Sequence, residues 1–433
     1  MNPKDGAIKV GLLGLGVVGS GVARALAEKS QALAQEAGSP IVLRHALVRD
    51  PDKPRPLSLP RGLLTTRAQD ILEDDKVHIV VELTGGEEPA VKYMEEALRR
   101  GKYVVTANKE VMAKHGPRLL DLARAHGVEV RFEASVGGGI PLVSPFQQDL
   151  AANRVSAIHA IINGTTNYIL TRMAAEGLEF SLALKQAQAL GYAEPDPTND
   201  VEGIDAAYKL AILATIAFKS QVLPQEVYRE GISRLSYRDF RYARELGFAI
   251  KLLAIAKEHD GKIEVRVHPV FLSQEALLAK VEGAFNAVQV EGDLVGQVIF
   301  YGLGAGALPT SSAVLADILN LARKITQGVK PIASPPIGRE KPVIPIENLR
   351  TRYYLRMTVA DRPGVLAQIS RVLGDLQISI ASVIQKETDE RAGMAEIVIM
   401  THPSLEASVR EALKQMAQLG VVKEVSNFIR VEI

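Results

Sequence analysis

The sequence predicts an α/β chain: a doubly wound parallel sheet at the N-terminus, an α+β middle segment, and a small βαββαβ unit at the C-terminus. Short β-type runs alternate with amphipathic helical stretches through roughly the first 130 residues. A glycine-rich turn, GLGVVG at 14–19, follows the first of these runs. After a proline-dense stretch at 328–350, strand and helix patterns take the order βαββαβ.

In the first segment strands are expected at 8–13, 41–48, 79–83, 103–106 and 128–132, with helical stretches such as 90–100 and 117–125 between them. Strands separated by single helices imply βαβ units and a parallel sheet. The middle segment mixes Ala/Leu-rich helices at 182–189, 205–218 and 242–258 with strand-like runs at 158–162 and 263–270. Prolines at 331, 335, 336, 342 and 345 rule out a helix or a central strand, so 326–350 reads as an extended linker. Beyond it, strands are expected at 354–359, 378–385, 395–400 and 425–431, and helices at 364–373 and 405–419.

Composition excludes several classes of function. A net charge of +1 over 433 residues gives no global field for nucleic acid or an anionic membrane. Trp is absent and aromatics are 5%, which argues against a base-stacking platform. No uncharged apolar run reaches the roughly 20 residues a membrane span needs. The absence of Cys excludes disulfides, zinc–thiolate sites and a thiol nucleophile, and fits a cytoplasmic location. The 8 His residues lack metal-ligand spacing; His159 and His268 fall in strand-like runs and read as core or edge residues. Ser311 and Ser312 read as helix N-caps.

Gly14-Leu15-Gly16-Val17-Val18-Gly19 fits G-x-G-x-x-G in the context the motif needs, directly after a strand and opening a helix. This is a Rossmann-type arrangement. Gly14 permits the tight turn, Gly16 lets backbone approach a pyrophosphate, and Gly19 allows close helix–sheet packing. The helix start offers N–H groups and a positive dipole end to phosphates. A purely structural turn is the alternative. Past the second strand, Arg49 falls where a ribose 2′ substituent should lie, with Lys53 and Arg55 nearby, which favours NADP; Asp50 argues for NAD.

Residues 189–209 read ALGYAEPDPTNDVEGIDAAYK. Asp205 and Lys209, four apart, share one helix face. That spacing also serves an exposed ion pair. The helix continues as LAILATIAF, apolar nearly all round, which implies burial. With Glu194 on the preceding loop, two carboxylates and one ammonium can converge. Carboxylates suit an α-ammonium group, and a lysine can protonate a nascent alkoxide.

This stretch resembles the homoserine dehydrogenase signature, with Asp200, Gly203, Asp205 and Lys209 in register. The similarity extends to VELTGG (81–86), TANKE (106–110), EASVGGGIPLV (133–143) and INGTTNYIL (162–170). The resemblance implies reversible conversion of L-aspartate 4-semialdehyde to L-homoserine, with hydride exchanged with a nicotinamide. It implies Lys209 as acid/base, Lys109 as a second active-site lysine near the cofactor, and Glu194, Asp205 and Gly191 as substrate ligands. Thr84, Gly191 and Gly306 would border the cofactor. A monovalent cation, Na+, would be held by Glu133 and the carbonyls of Val136, Gly138 and Ile140; a glycine-rich crossover without an ion is the alternative. The boundaries that follow are 1–140 for the nucleotide domain, completed by 305–325, then 141–304 for a catalytic and dimerisation domain, the linker, and 351–433 for a C-terminal module.

In that module Asp361-Arg-Pro-Gly-Val-Leu follows a strand and opens a helix, and resembles the amino-acid-binding ACT domain. The resemblance implies an effector site at Asp361, Gly364, Val365 and Leu366, with L-threonine as effector, and a homodimer or homotetramer. A dimerisation module with an empty pocket is the alternative. Removal of 351–433 is expected to leave activity and abolish threonine sensitivity. Two other readings stand beside the enzyme: another amino-acid dehydrogenase, and a nucleotide- and amino-acid-sensing binding protein.

Overall fold

The computed structural model describes residues 6–55, 59–331, 337–389 and 392–432. Contacts divide the chain into two compact units. The first comprises Met1–Ser156, Tyr208–Glu226 and Val290–Lys341; the second comprises Ala157–Ala207, Val227–Gln289 and Pro342–Ile433.

In the first unit six strands run parallel: β1 (Ile8–Leu13), β2 (Ile41–Leu47), β3 (Leu64–Thr65), β4 (Ile79–Glu82), β5 (Tyr103–Thr106) and β6 (Val130–Arg131). Their order is β3-β2-β1-β4-β5-β6. Strand order reverses between β1 and β4, and ligands bind beyond the carboxyl ends at such a point. The helices Val17–Glu28 and Ala307–Thr326 share a core with this sheet, built on Val10, Leu12, Val22, Leu26, Val314, Ile318 and Leu321. The two helices touch where a Cβ on Gly21 would stand 2.3 Å from Ser311 Oγ.

Two local expectations change here. Ser311 and Ser312 lie inside their helix and not at its cap, which is Gly306. The Ser311 hydroxyl donates back to the Ala307 carbonyl at 2.7 Å and to Val18 O at 3.2 Å. The helix expected from Pro117 begins eight residues earlier, as Lys109–Ala125, with Pro117 in its interior. Proline favours the first turn, which is why the pattern alone starts there.

In the second unit seven of the strands lie side by side, in the order Val155–Ile161, Phe248–His259, Lys262–Ser273, Val422–Glu432, Arg350–Ala360, Met394–Thr401 and Ile380–Asp389. The helix expected at 242–258 is absent: a helix Tyr237–Glu245 is followed by the strand Phe248–His259. That strand is buried on both faces from Ile250 to Ala256, so no alternation marks it in sequence. It turns into its neighbour through Asp260 (φ +50°) and Gly261 (φ +74°), with His259 opposite Lys262. Such a two-residue turn with both φ positive matches the twist of the paired strands.

The last four of those strands, with helices Val365–Asp375 and Glu406–Ala417, form the βαββαβ unit around Leu355, Met357, Ile369, Ile397, Val409 and Met416. It is not a detachable module. Val422–Glu432 pairs in parallel with Lys262–Ser273, Phe271 opposite Val431, and antiparallel with Arg350–Ala360. Arg356 is bound to Asp239 at 2.8 Å, and Arg266 to Glu432 at 2.6 Å, all four nearly solvent-free. Losing 351–433 would remove the pairing along Val270–Leu272 and leave Arg266 and Asp239 without those partners.

The described part of the proline-rich stretch beyond residue 336 is held in place and includes one short 3-10 helix, Ile346–Asn348. Gln221 N donates to Gly338 O at 2.7 Å, and Ile344 N to Ile263 O at 2.7 Å. Pro335 and Pro336 lie outside the described residues.

Candidate active site

The turn after β1 meets the demands of its glycines in three different ways. Gly14 has φ +104°, and a Cβ there would stand 2.8 Å from the Leu83 carbonyl oxygen. A Cβ on Gly19 would stand 2.3 Å from Gly14 O, so the helix is drawn against the turn. Gly16 has nothing within 4 Å, which leaves its backbone open for a ligand to approach. Leu15 is buried, Val18 is half-buried, and Val17 is 74% exposed at the helix start.

On the other side of the reversal point, β4 ends in a carboxylate that sequence reasoning passed over. Glu82 is fully buried. Its Oε1 accepts from Thr84 N and Thr84 Oγ1, both at 2.7 Å, and its Oε2 from Thr106 Oγ1 at 2.8 Å. This fixes Thr84 and the 83–86 turn that crowds Gly14. A carboxylate inside an apolar strand gives no sequence signal beyond its presence in VELTGG.

Beyond β5, Asn108 caps the helix Lys109–Ala125: its Oδ1 accepts from Val111 N at 3.1 Å and its Nδ2 donates to Gly86 O at 2.6 Å. Lys109 is the first helical residue and half-buried. A cation at the positive end of a helix is electrostatically disfavoured, so helix stability does not explain it. Arg49 lies exposed two residues past β2, while the Arg55 guanidinium folds back on the carbonyls of Pro51 and Lys53 at 3.2 and 2.9 Å. Gly306, φ +127°, caps the helix Ala307–Thr326.

Glu133 is engaged more fully than a bare metal ligand would be. Its carboxylate accepts from the N–H groups of Leu142, Val143 and Ser144 at 2.5, 2.8 and 2.7 Å, at the start of the short helix Val143–Gln147. Its own N–H donates to Asp317, whose carboxyl burial raises to about 7. Val136, Gly138 and Ile140 are buried, and among the described residues no backbone hydrogen bond ends on their carbonyls. Buried carbonyls without donors suit a hard cation. The residues fit one.

The second unit holds the carboxylates. The helix Ile204–Phe218, buried along most of its length, begins in the second unit with Asp205, 5% exposed, and continues into the first, to which half-buried Lys209 belongs. Asn163, at the start of the helix Gly164–Glu176, donates through Nδ2 to Asp200 Oδ1 at 2.7 Å and to Asp205 Oδ2 at 2.9 Å. Neither Asn163 nor its tie to Asp200 was foreseen. Glu194 is exposed on the loop before Asp200, its carbonyl accepting from Gln188 Nε2 at 3.2 Å. Gly191 takes φ +75° just past the helix Phe180–Ala189. At the C-terminal module, Gly364 (φ +88°) caps the helix that Val365 and exposed Leu366 begin, and Asp361 N donates to Gly393 O at 2.8 Å. His159 and His268 are buried in paired strands, and burial holds His268 far below its usual range.

A parallel sheet in this order, with a turn after β1 that glycine alone can make, defines a dinucleotide-binding protein. The family described as homoserine dehydrogenase, NAD binding domain, matches residues 14–133; homoserine dehydrogenase matches 141–319 and the ACT domain 353–420. The chain is 44% identical to the homoserine dehydrogenase of Synechocystis over 98% of its own length and 99% of that protein's, and 40% identical to that of Bacillus subtilis, 98% of each covered. The crystal structure of a homoserine dehydrogenase from Thiobacillus denitrificans superposes with TM-score 0.91 at 45% identity, covering 98% of both chains. A hyperthermophilic archaeal homoserine dehydrogenase in complex with NADPH matches with TM-score 0.62 at 28% identity, over 73% of this chain and 98% of that one. The chain belongs to the homoserine dehydrogenase family. It is an oxidoreductase with a nicotinamide-nucleotide domain and a C-terminal ACT domain. Among the described residues no helix is long and apolar enough to cross a membrane.

Proposed function

We propose that the protein interconverts L-homoserine and L-aspartate 4-semialdehyde with NADP(H), in the route to threonine, methionine and isoleucine, in the cytoplasm. The observation that carries this is the single helix Ile204–Phe218, bearing Asp205 beside a second carboxylate and Lys209 one turn further. A bound nicotinamide supplies or accepts the hydride. Glu194 and Asp205, with Gly191, bind the substrate and neutralise its α-ammonium. Lys209 donates a proton to the oxygen that becomes the hydroxyl, and recovers it in the reverse direction. Lys109 holds the reacting end in place through its charge.

The turn Gly14–Gly19 receives the pyrophosphate on the N-terminus of its helix, and Thr84, Gly191 and Gly306 border the cofactor. Arg49 favours the 2′-phosphate of NADP, with NAD as the weaker coenzyme. Glu133 and the carbonyls of Val136, Gly138 and Ile140 would hold Na+. L-Threonine is the effector proposed for Asp361, Gly364, Val365 and Leu366, in a homodimer or homotetramer.

The test is NADPH oxidation with aspartate semialdehyde, repeated with Lys209→Ala. Wild type should turn over, and the variant should lose about 10²–10⁴ in kcat with coenzyme affinity unchanged. A variant that keeps most of its kcat would remove Lys209 from the mechanism.

A further inference from the structure

We propose that Asn163 is a positioning residue for the substrate ammonium, acting through Asp200 and Asp205. The proposal deepens the reading that Asp205 holds the substrate's amine, adds Asp200 to it, and rests on it.

The side-chain amide has partners at both ends. Its Oδ1 accepts from Thr166 N at 2.9 Å, closing the first turn of the helix Gly164–Glu176, and lies 3.1 Å from Thr166 Oγ1, whose one proton it shares with Asn163 O, also at 3.1 Å. Its Nδ2 donates to Asp200 Oδ1 at 2.7 Å and Asp205 Oδ2 at 2.9 Å. Ionised carboxylates only accept, so the NH2 end must face them, and the network itself fixes which way the amide points.

Capping does not explain the choice of residue. Ser, Thr and Asp cap a helix as well as Asn, but none of them also offers two N–H donors. Nor does the fold require two carboxylates here. They converge on one nitrogen within two hydrogen-bond lengths of each other, and Nδ2 donates to both. This pins one oxygen of each group, which fixes the rotation of the two carboxylates. Asp205 is 5% exposed and Asn163 equally buried, so water replaces these donors poorly. The ends of three separate chain segments are thereby aimed by one amide: the strand Val155–Ile161, the helix Thr198–Val201 and the helix Ile204–Phe218. A primary ammonium is the ligand that such a pair of fixed carboxylates suits.

Asn163→Ser separates the two roles, because serine retains the cap and cannot span to both carboxylates. Steady-state kinetics with homoserine should show KM raised about ten- to a hundredfold with kcat within about threefold. The inhibition constant of 4-hydroxybutanoate, which lacks the amine, should stay within about threefold, as should coenzyme affinity. Asn163→Asp, also a good cap, should raise KM likewise, since it loses both donors. If KM is unchanged in both variants, or if KM and the 4-hydroxybutanoate constant rise together, Asn163 does not act through the ammonium. Asp205→Asn provides the separate control. Should that variant leave homoserine KM unchanged, the amine-binding reading itself fails; should it raise KM while Asn163→Ser does not, only the positioning role falls.

Discussion

Arg430, in the strand Val422–Glu432, donates to both oxygens of Glu230, from Nη1 at 2.8 Å and from Nη2 at 3.0 Å. Glu230 directly precedes Gly231, whose Cβ would stand 2.6 Å from the Val201 carbonyl oxygen, and Ile232 N donates to that same oxygen at 2.9 Å. Val201 closes the short helix that carries Asp200. A charge in the C-terminal unit is thus two contacts from a carboxylate that Asn163 holds.

Truncation after residue 350 should therefore abolish activity and not merely regulation. Circular dichroism and size-exclusion chromatography should show loss of folded material, and assays no turnover. Recovery of a folded, active truncated enzyme would show that the shared sheet is dispensable.

Acid should weaken the same contact in a definite window. Burial would raise the Glu230 carboxyl, but the hydrogen bonds and charge of Arg430 hold it at about 2, against an ordinary 4.5. A depressed folded value stabilises above the unfolded one, so the contribution is full above about 4.5 and fades as pH falls towards about 2. Glu230→Gln should be less stable than wild type at neutral pH and show a shallower decline of melting temperature in acid. Parallel declines would assign the acid sensitivity to other groups.

The glycine turn predicts opposite consequences for neighbouring substitutions. Gly16→Ala should melt like wild type but weaken coenzyme binding about tenfold or more, since the new methyl occupies open space where a pyrophosphate would approach. Gly14→Ala and Gly19→Ala should lower the melting temperature without coenzyme, because their methyl groups meet backbone at 2.8 and 2.3 Å. Calorimetry with and without NADPH distinguishes them, and equal stability of all three would contradict this geometry.

Arg49→Ala should lower kcat/KM for NADPH about tenfold and leave that for NADH nearly unchanged, removing one charge-assisted contact. A proportional loss with both coenzymes would place Arg49 away from the 2′-phosphate.

How far the sequence reveals this molecule depends on the range of each constraint. The Gly14 turn is legible because a positive φ between strand and helix is a local demand on one residue type. That Lys209 and Asp205 share a helix face is legible from their spacing of four; their roles come from the resemblance and not from that spacing. The strand Phe248–His259 is not, because burial on both sides erases the alternation that would mark it; Asp260-Gly261 was the surviving clue. Asn163 gives no such signal, since its carboxylate partners lie 37 and 42 positions away. Glu82 is hidden for the same reason, its partner Thr106 being 24 positions off. Pairwise chemistry across long loops leaves no periodicity.

The parallel pairing of Lys262–Ser273 with Val422–Glu432 also constrains how the chain is made. On the ribosome the earlier strand emerges long before this partner exists, with the amide and carbonyl groups of Val270–Leu272 bare along one side. Such an edge invites pairing with other nascent chains. Closure of this unit is accordingly a late event, possible only once Val422–Glu432 has cleared the exit tunnel.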